Sequence, residues 1–242
     1  MKVFAIIPAA GLGTRMASAA ATRSRKPAAS KQFLELGGSP VLAHTLRVFA
    51  KSADVTQVFV PLRQAEIASF RARLEREVPE ILKKTPVLLE GGENRQQSVA
   101  NALAAVRAAA DDIILVHDAV RPFITEEIIR DVIAAASKYG AAITGVPAVD
   151  TVKQVERTAE GALIKATIPR EKIVLAQTPQ GFRYDVLRKA FDEAIADGFT
   201  GTDEASLVER SGRDVAVVMG SPRNMKITTP ADLELAELYL KR

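Results

Sequence analysis

A three-layer α/β fold, with a mostly parallel sheet covered by helices on both faces, is what this sequence predicts. Two observations predict it. Short unbroken apolar runs alternate with longer amphipathic ones along most of the chain, the pattern of buried parallel strands joined by crossover helices. The 242 residues are also 48% hydrophobic, enough for one sizeable core.

The strands are expected at Val3–Pro8, Gln57–Pro61, Val87–Leu89, Ile113–His117, Ala142–Pro147 and Val215–Met219. Each is apolar without alternation, as a strand buried on both faces should be. Between them the apolar positions recur at helical spacing over Pro40–Lys51, Gln64–Val78, Arg95–Ala109, Thr125–Tyr139, Tyr184–Asp197 and Pro230–Leu240. The last helix has a clear start, with Thr229 as N-cap and Pro230 at the first helical position. One segment breaks the rhythm: Asp150 to Gln180 carries the alternating Thr151-Val152-Lys153-Gln154-Val155-Glu156, then Gly161 and a second run at Leu163–Ile168. That reads as a β-hairpin projecting from the sheet. Residues 1–242 are therefore expected to form a single domain, with 150–175 as an arm that packs on a second subunit, because a two-stranded ribbon is marginal alone.

Composition excludes several function classes. Net charge is only +4 and aromatics are 5%, with no basic run interleaved with rings, so no nucleic-acid surface is expected. No apolar run approaches the ~20 residues of a membrane span. There is no cysteine and no charged-then-apolar secretory pattern at Val3, which together suit a cytoplasmic protein. With only His44 and His117, a histidine metal cluster or a serine triad lacks its parts.

In open parallel sheets ligands gather beyond the carboxyl ends of the strands. After the first strand comes Pro8-Ala9-Ala10-Gly11-Leu12-Gly13-Thr14-Arg15-Met16. Gly11 and Gly13 let backbone amides turn toward an anion, and Arg15 adds a planar donor fork suited to phosphate. The loop lacks the Gly-Lys-Ser/Thr ending of a P-loop, and Met16 stands where a dinucleotide fingerprint needs glycine. Gly91-Gly92-Glu93-Asn94-Arg95-Gln96-Gln97-Ser98 opens a helix whose amides face out. Asp118 follows a buried strand, placed either to hold Mg²⁺ with a nucleotide phosphate or to cap the turn before Thr125. Lys226 follows the last strand at the same edge. A glycine loop, several cations and one carboxylate are the inventory of phosphoryl or nucleotidyl transfer.

These pieces, in this order, resemble the 2-C-methyl-D-erythritol 4-phosphate cytidylyltransferases of the non-mevalonate isoprenoid pathway. The resemblance runs through eight motifs: Pro8 to Met16; Lys31-Gln32-Phe33-Leu34; Gly91 to Val99; His117-Asp118-Ala119-x-Arg121-Pro122; Asp150-Thr151-Val152-Lys153; Gln177-Thr178-Pro179-Gln180-x-Phe182; Thr202-Asp203-Glu204-Ala205-Ser206; and Asn224-x-Lys226-Ile227-Thr228. It implies a Rossmann-like nucleotidyltransferase fold and transfer of CMP from CTP to the alcohol phosphate, with release of pyrophosphate. It further implies that Arg15, Lys31, Arg170 and Lys226 are catalytic and that Asp118 holds Mg²⁺. Ala9, Ala10, Gly11, Gly13, Gly92, Glu93, Arg95 and Ser98 would surround the nucleotide. Thr151 and Thr202 would join Arg170 and Lys226 around the second substrate, Arg121 and Thr178 would bind substrate or nucleotide, and Arg170 would reach the neighbouring site of a homodimer. The chain departs from the family pattern in a longer stretch between Arg15 and Lys31, and in Ser30 where proline is usual. Lys26-Pro27 offers a competing lysine, and no acidic residue lies between Met219 and Lys226. Two other readings stay open from the residues: a cytidylyltransferase for another polyol phosphate such as ribitol 5-phosphate, and a non-catalytic nucleotide-binding module.

Overall fold

The computed structural model describes residues 1–11 and 30–241. Gly13, Arg15 and Lys26 lie outside the described residues, as does all of the 17–30 stretch except Ser30. The chain runs β1 (Val3–Ile6), the short pair β2 (Glu35–Leu36) and β3 (Ser39–Pro40), α1 (Val41–Lys51), β4 (Gln57–Leu62), α2 (Gln64–Glu77), β5 (Val87–Glu90), α3 (Arg95–Ala105) and β6 (Ile113–Val116). It continues with α4 (Glu126–Tyr139), β7 (Ala141–Pro147), β8 (Val152–Thr158), β9 (Gly161–Ile168), β10 (Val174–Arg183), α5 (Tyr184–Ala196), α6 (Glu204–Arg210), β11 (Ala216–Met219) and α7 (Pro230–Leu240).

Seven strands form the central sheet in the order β11-β7-β10-β6-β1-β4-β5. Alternation along β1 shows why there are three layers. Val3 and Ala5 pack in one cluster with Leu42 and Leu46 of α1, Phe70 of α2 and Ile129 of α4. Phe4 and Ile6 face the other way, against Val99 of α3 and Leu187 and Phe191 of α5. A period of two sends neighbouring side chains to opposite faces, and both faces are covered. A third, smaller cluster of Leu36, Val41, Val120, Ile227 and Ala236 ties α7 to the β2–β3 pair. The start of α7 is a full capping box: Thr229 accepts from the Asp232 amide (3.2 Å) and Asp232 accepts from the Thr229 amide (2.8 Å).

Several elements differ from the sequence expectation, among them the added β2–β3 pair. The helix expected over Arg95–Ala109 ends at Ala105, and Asp112 draws the Ala109 amide (2.9 Å) into the following turn. Helix α6 and strand β10 are additions. Residues 174–183 pair antiparallel with both β6 and β7, inside an otherwise parallel sheet. Pro179 and Gly181 weaken the strand signal there. The ladder accommodates them by shifting register between Gln177 and Gln180. Gly181 is required by close approach, since a Cβ at that position would sit 2.6 Å from Cγ1 of Val132 on α4.

The hairpin is present: β8 and β9 pair from Val152↔Ile168 to Thr158↔Gly161 and form a sheet of their own. Its Val155, Leu163 and Ile164 are exposed. Among the described residues no helix is long and apolar enough to cross a membrane.

Candidate active site

The carboxyl ends of β1, β5 and β6 open onto a cleft of about 400 Å³. The loop after β1 forms one wall. Gln32, buried, donates its carboxamide N–H groups to the carbonyls of Ala9 (2.6 Å) and Gly11 (3.3 Å), so the segment carrying Lys31 is clipped to that loop. Those contacts tie residues 9 and 11 to the start of the next described segment.

The wall after β5 is built just as locally. Asn94 caps α3 by accepting from the Gln97 amide (2.8 Å), and Ser98 accepts from the Gly92 amide (3.0 Å) while donating to the Asn94 carbonyl (2.9 Å). Gly91 lets the two walls meet, because a Cβ there would lie 2.5 Å from the Ala10 Cβ. Small residues are what allow the two walls to stand this close.

The floor is Asp118, directly beyond β6. Arg95 Nε donates to its Oδ1 (3.3 Å), while Arg121 Nε (3.2 Å) and Lys226 Nζ (2.9 Å) reach its Oδ2. Burial pushes the Asp118 carboxyl up, but Arg95, Lys226 and Arg121 together outweigh that and hold it well below the usual carboxylate range. Arg95 also places Nη1 on both oxygens of Glu204 (2.7 and 2.9 Å), a carboxylate only 1% exposed. Burial pushes the Glu204 carboxyl up and Arg95 offsets part of it. The Arg95 guanidinium itself stays charged, held so by Glu204 and Asp118 against its own burial.

Beneath Asp118 lies His117, fully buried and packed against Phe49 in a tilted arrangement, 5.1 Å between ring centroids. Its Nε2 contacts the Arg121 carbonyl (3.1 Å), which can only accept, so Nε2 carries the proton and Nδ1 accepts from the Thr178 hydroxyl (3.1 Å). The same hydroxyl accepts the Asp118 amide (3.0 Å). Burial lowers the His117 pKa to about 4, so the ring is neutral at pH 7. It is a structural strut with both nitrogens in use.

Most expected site residues meet here. Ala9, Ala10, Gly11, Lys31, Gly92, Glu93, Arg95, Ser98, Asp118 and Lys226 line the cleft. Arg121, Thr178 and Thr202 line a smaller adjoining cavity of about 200 Å³, which shares Arg95, Asp118 and Lys226 with the first. Thr151 and Arg170 are not brought to either cavity. Both are exposed at the base of the arm, where Arg170 Nη1 donates to the Val149 carbonyl (2.6 Å). Gly13 and Arg15 fall outside the described residues.

Among the described residues no group of three or more His, Asp or Glu side chains could enclose a metal ion. Asp118 alone suits Mg²⁺, which commonly takes one or two carboxylates and completes its shell with phosphate and water oxygens. Its Oδ1 carries one ion pair and keeps a lone pair. Sequence reasoning gave no role to Gln32 and Glu204, although both stand inside motifs it quoted. Their partners lie 23 and 109 residues away, and only the fold brings them together.

Known proteins match this chain along its whole length. The family model described as IspD, 2-C-methyl-D-erythritol 4-phosphate cytidylyltransferase, matches residues 3–242. The protein of that name from Acidobacterium capsulatum is 60% identical over 243 residues, covering 100% of this chain and 98% of its own. That of Solibacter usitatus is 49% identical over 241 residues, covering 100% and 96%. Among solved structures, the 4-diphosphocytidyl-2C-methyl-D-erythritol synthase of Anaerococcus prevotii superposes with a TM-score of 0.81 at 28% identity, covering 100% and 96%. The 2-C-methyl-D-erythritol 4-phosphate cytidylyltransferase of Thermus thermophilus superposes with 0.77 at 35% identity, covering all of both chains. This chain belongs to the 2-C-methyl-D-erythritol 4-phosphate cytidylyltransferase family.

Proposed function

We propose that the cleft carries out the family reaction, transfer of CMP from CTP to 2-C-methyl-D-erythritol 4-phosphate with release of pyrophosphate. The observation that carries the reading is the cation cluster around Asp118, standing where the larger cavity meets the smaller one. Two polyanions brought together need such a wall.

An oxygen of the substrate phosphate attacks the α-phosphorus of CTP. The bond from that phosphorus to the α–β bridging oxygen breaks, and its electron pair leaves with pyrophosphate. The attacking phosphate has its second pKa near ~6 and is largely dianionic at neutral pH, so the step needs no general base. His117, neutral and fully engaged, supplies none. The protein's work is positioning and charge neutralisation.

Ala9, Ala10, Gly11, Gly92, Glu93 and Ser98 surround the nucleoside. Lys31 and Lys226 neutralise charge building on the α-phosphate and pyrophosphate, joined by Arg15 from the Gly11-x-Gly13-x-Arg15 segment. Arg95 extends that cationic wall from α3. Asp118 is the carboxylate that would hold Mg²⁺, which when bound supplies further neutralisation of phosphate charge. Arg121, Thr178 and Thr202 line the acceptor side. Thr151 and Arg170 act from the arm of a second copy, in a homodimer whose exchanged arms complete each site. The exposed Val155, Leu163 and Ile164 of β8–β9 support that exchange, since an isolated two-stranded ribbon gains little stability alone. A cysteine-free composition supports a cytoplasmic location.

Replacing Lys31 tests the site. Lys31→Ala should lower kcat for pyrophosphate release by about 10²–10³-fold, with unchanged thermal unfolding. Turnover equal to wild type would remove the cleft from the chemistry.

A further inference from the structure

Glu204 is a charged side chain where charge is expensive. It is 1% exposed, at the first turn of a seven-residue helix, and its ion-pair partner is Arg95. A buried ion pair adds little to stability compared with apolar packing of the same volume, so stability alone does not account for it. Its geometry does. Arg95 is the residue that both cavities share on the α3 side, with Nη1 on Glu204 and Nε on Asp118.

The same contact is part of a wider brace. Gln96, next to Arg95, accepts from the Gly201 amide (2.9 Å) and donates to the Phe199 carbonyl (3.0 Å). From the other side, buried Gln180 donates to Asp203 Oδ2 (2.7 Å) and accepts from the Ala205 amide (3.1 Å). The segment that carries Thr202 on the acceptor side is thus bolted to the helix start that carries Arg95 on the nucleotide side.

Resting on the CTP reading above, we infer that Glu204 is a positioning residue: it fixes the Arg95 guanidinium between the two cavities so that one cation serves both substrates at once. Losing it leaves Arg95 a mobile arginine tethered to Asp118 alone. Binding on both sides then weakens together, because the partition belongs to both.

The test is steady-state kinetics of pyrophosphate release for wild type, Glu204→Gln, Arg95→Gln and the double variant, with folding checked by thermal denaturation. Glu204→Gln keeps the shape and removes the charge. It should raise KM for CTP and for the acceptor phosphate, each by about tenfold or more, with a smaller change in kcat. A packing defect would instead lower the folded fraction and the apparent kcat while leaving both KM values alone. If Glu204 works through Arg95, its replacement should have no added effect in the Arg95→Gln background. Should Glu204→Gln fail to fold, Glu204→Asp keeps the charge, pulls the carboxylate back by one methylene, and should shift both KM values the same way. Unchanged KM values, or fully additive losses in the double variant, overturn the assignment while leaving the CTP reading intact. A wild-type protein that releases no pyrophosphate from CTP overturns both.

Discussion

At the scale of single residues, the site is a balance of charge organised by neutral struts. Asp118 sits among three cations, and its position depends on the Thr178 hydroxyl that links its amide to the His117 ring. His117 makes a measurable prediction. Its pKa is about 4 in the folded chain against about 6.5 when unfolded. Between those values the unfolded chain binds a proton that the folded chain refuses. Stability is therefore fully present above pH 6.5 and is lost as pH falls toward 4, by about 3 kcal/mol from this group. Urea unfolding across that range should show the slope in wild type and a flatter one in His117→Asn. Parallel slopes for the two proteins would mean that the ring is not held neutral as described. Asp118 contributes in a lower window, since its depressed pKa stabilises the fold above the unfolded carboxylate value. Glu204 runs the other way, its raised pKa disfavouring the fold as pH rises through the carboxylate range.

At the scale of elements, legibility followed locality. The loop after β1, the Gly91–Ser98 helix entry and Asp118 each stand directly at a strand end, where position along the chain already gives position in the sheet. They were readable for that reason. Strand β10 was not, because Pro179 and Gly181 erase the usual signal and the compensation lies in a register shift and in the close packing of Val132. Gln32 and Glu204 were unreadable as parts of the site for a related reason: a glutamine after a lysine and a glutamate opening a helix look like ordinary surface choices. The arm carries a prediction of its own. If exchanged arms complete the sites, Lys31→Ala and Arg170→Ala proteins should each be weak alone and regain activity when unfolded and refolded together. In the mixed dimer one site then combines an intact Lys31 with an intact Arg170. No recovery, with mixed dimers demonstrably formed, would assign Arg170 to its own chain or to no site.

For the whole molecule, the sheet explains why one edge does everything. Six strands run the same way and deliver the loops after β1, β5 and β6, together with Lys226 beyond β11, to a common rim, while antiparallel β10 feeds Thr178 and Gln180 into that rim from the opposite direction. In the proposed reading the larger cavity takes the nucleoside triphosphate and the smaller the phosphorylated polyol, and the cations between them serve the meeting of two anions. The most direct test of that account is ³¹P NMR of the protein with CTP, Mg²⁺ and either 2-C-methyl-D-erythritol 4-phosphate or ribitol 5-phosphate. The account predicts that, with the methylerythritol phosphate, the phosphomonoester signal gives way to a diphosphodiester pair while free pyrophosphate appears in equal amount. It also predicts little change with ribitol 5-phosphate. Preferential turnover of ribitol 5-phosphate, or release of inorganic phosphate in place of pyrophosphate, would contradict it.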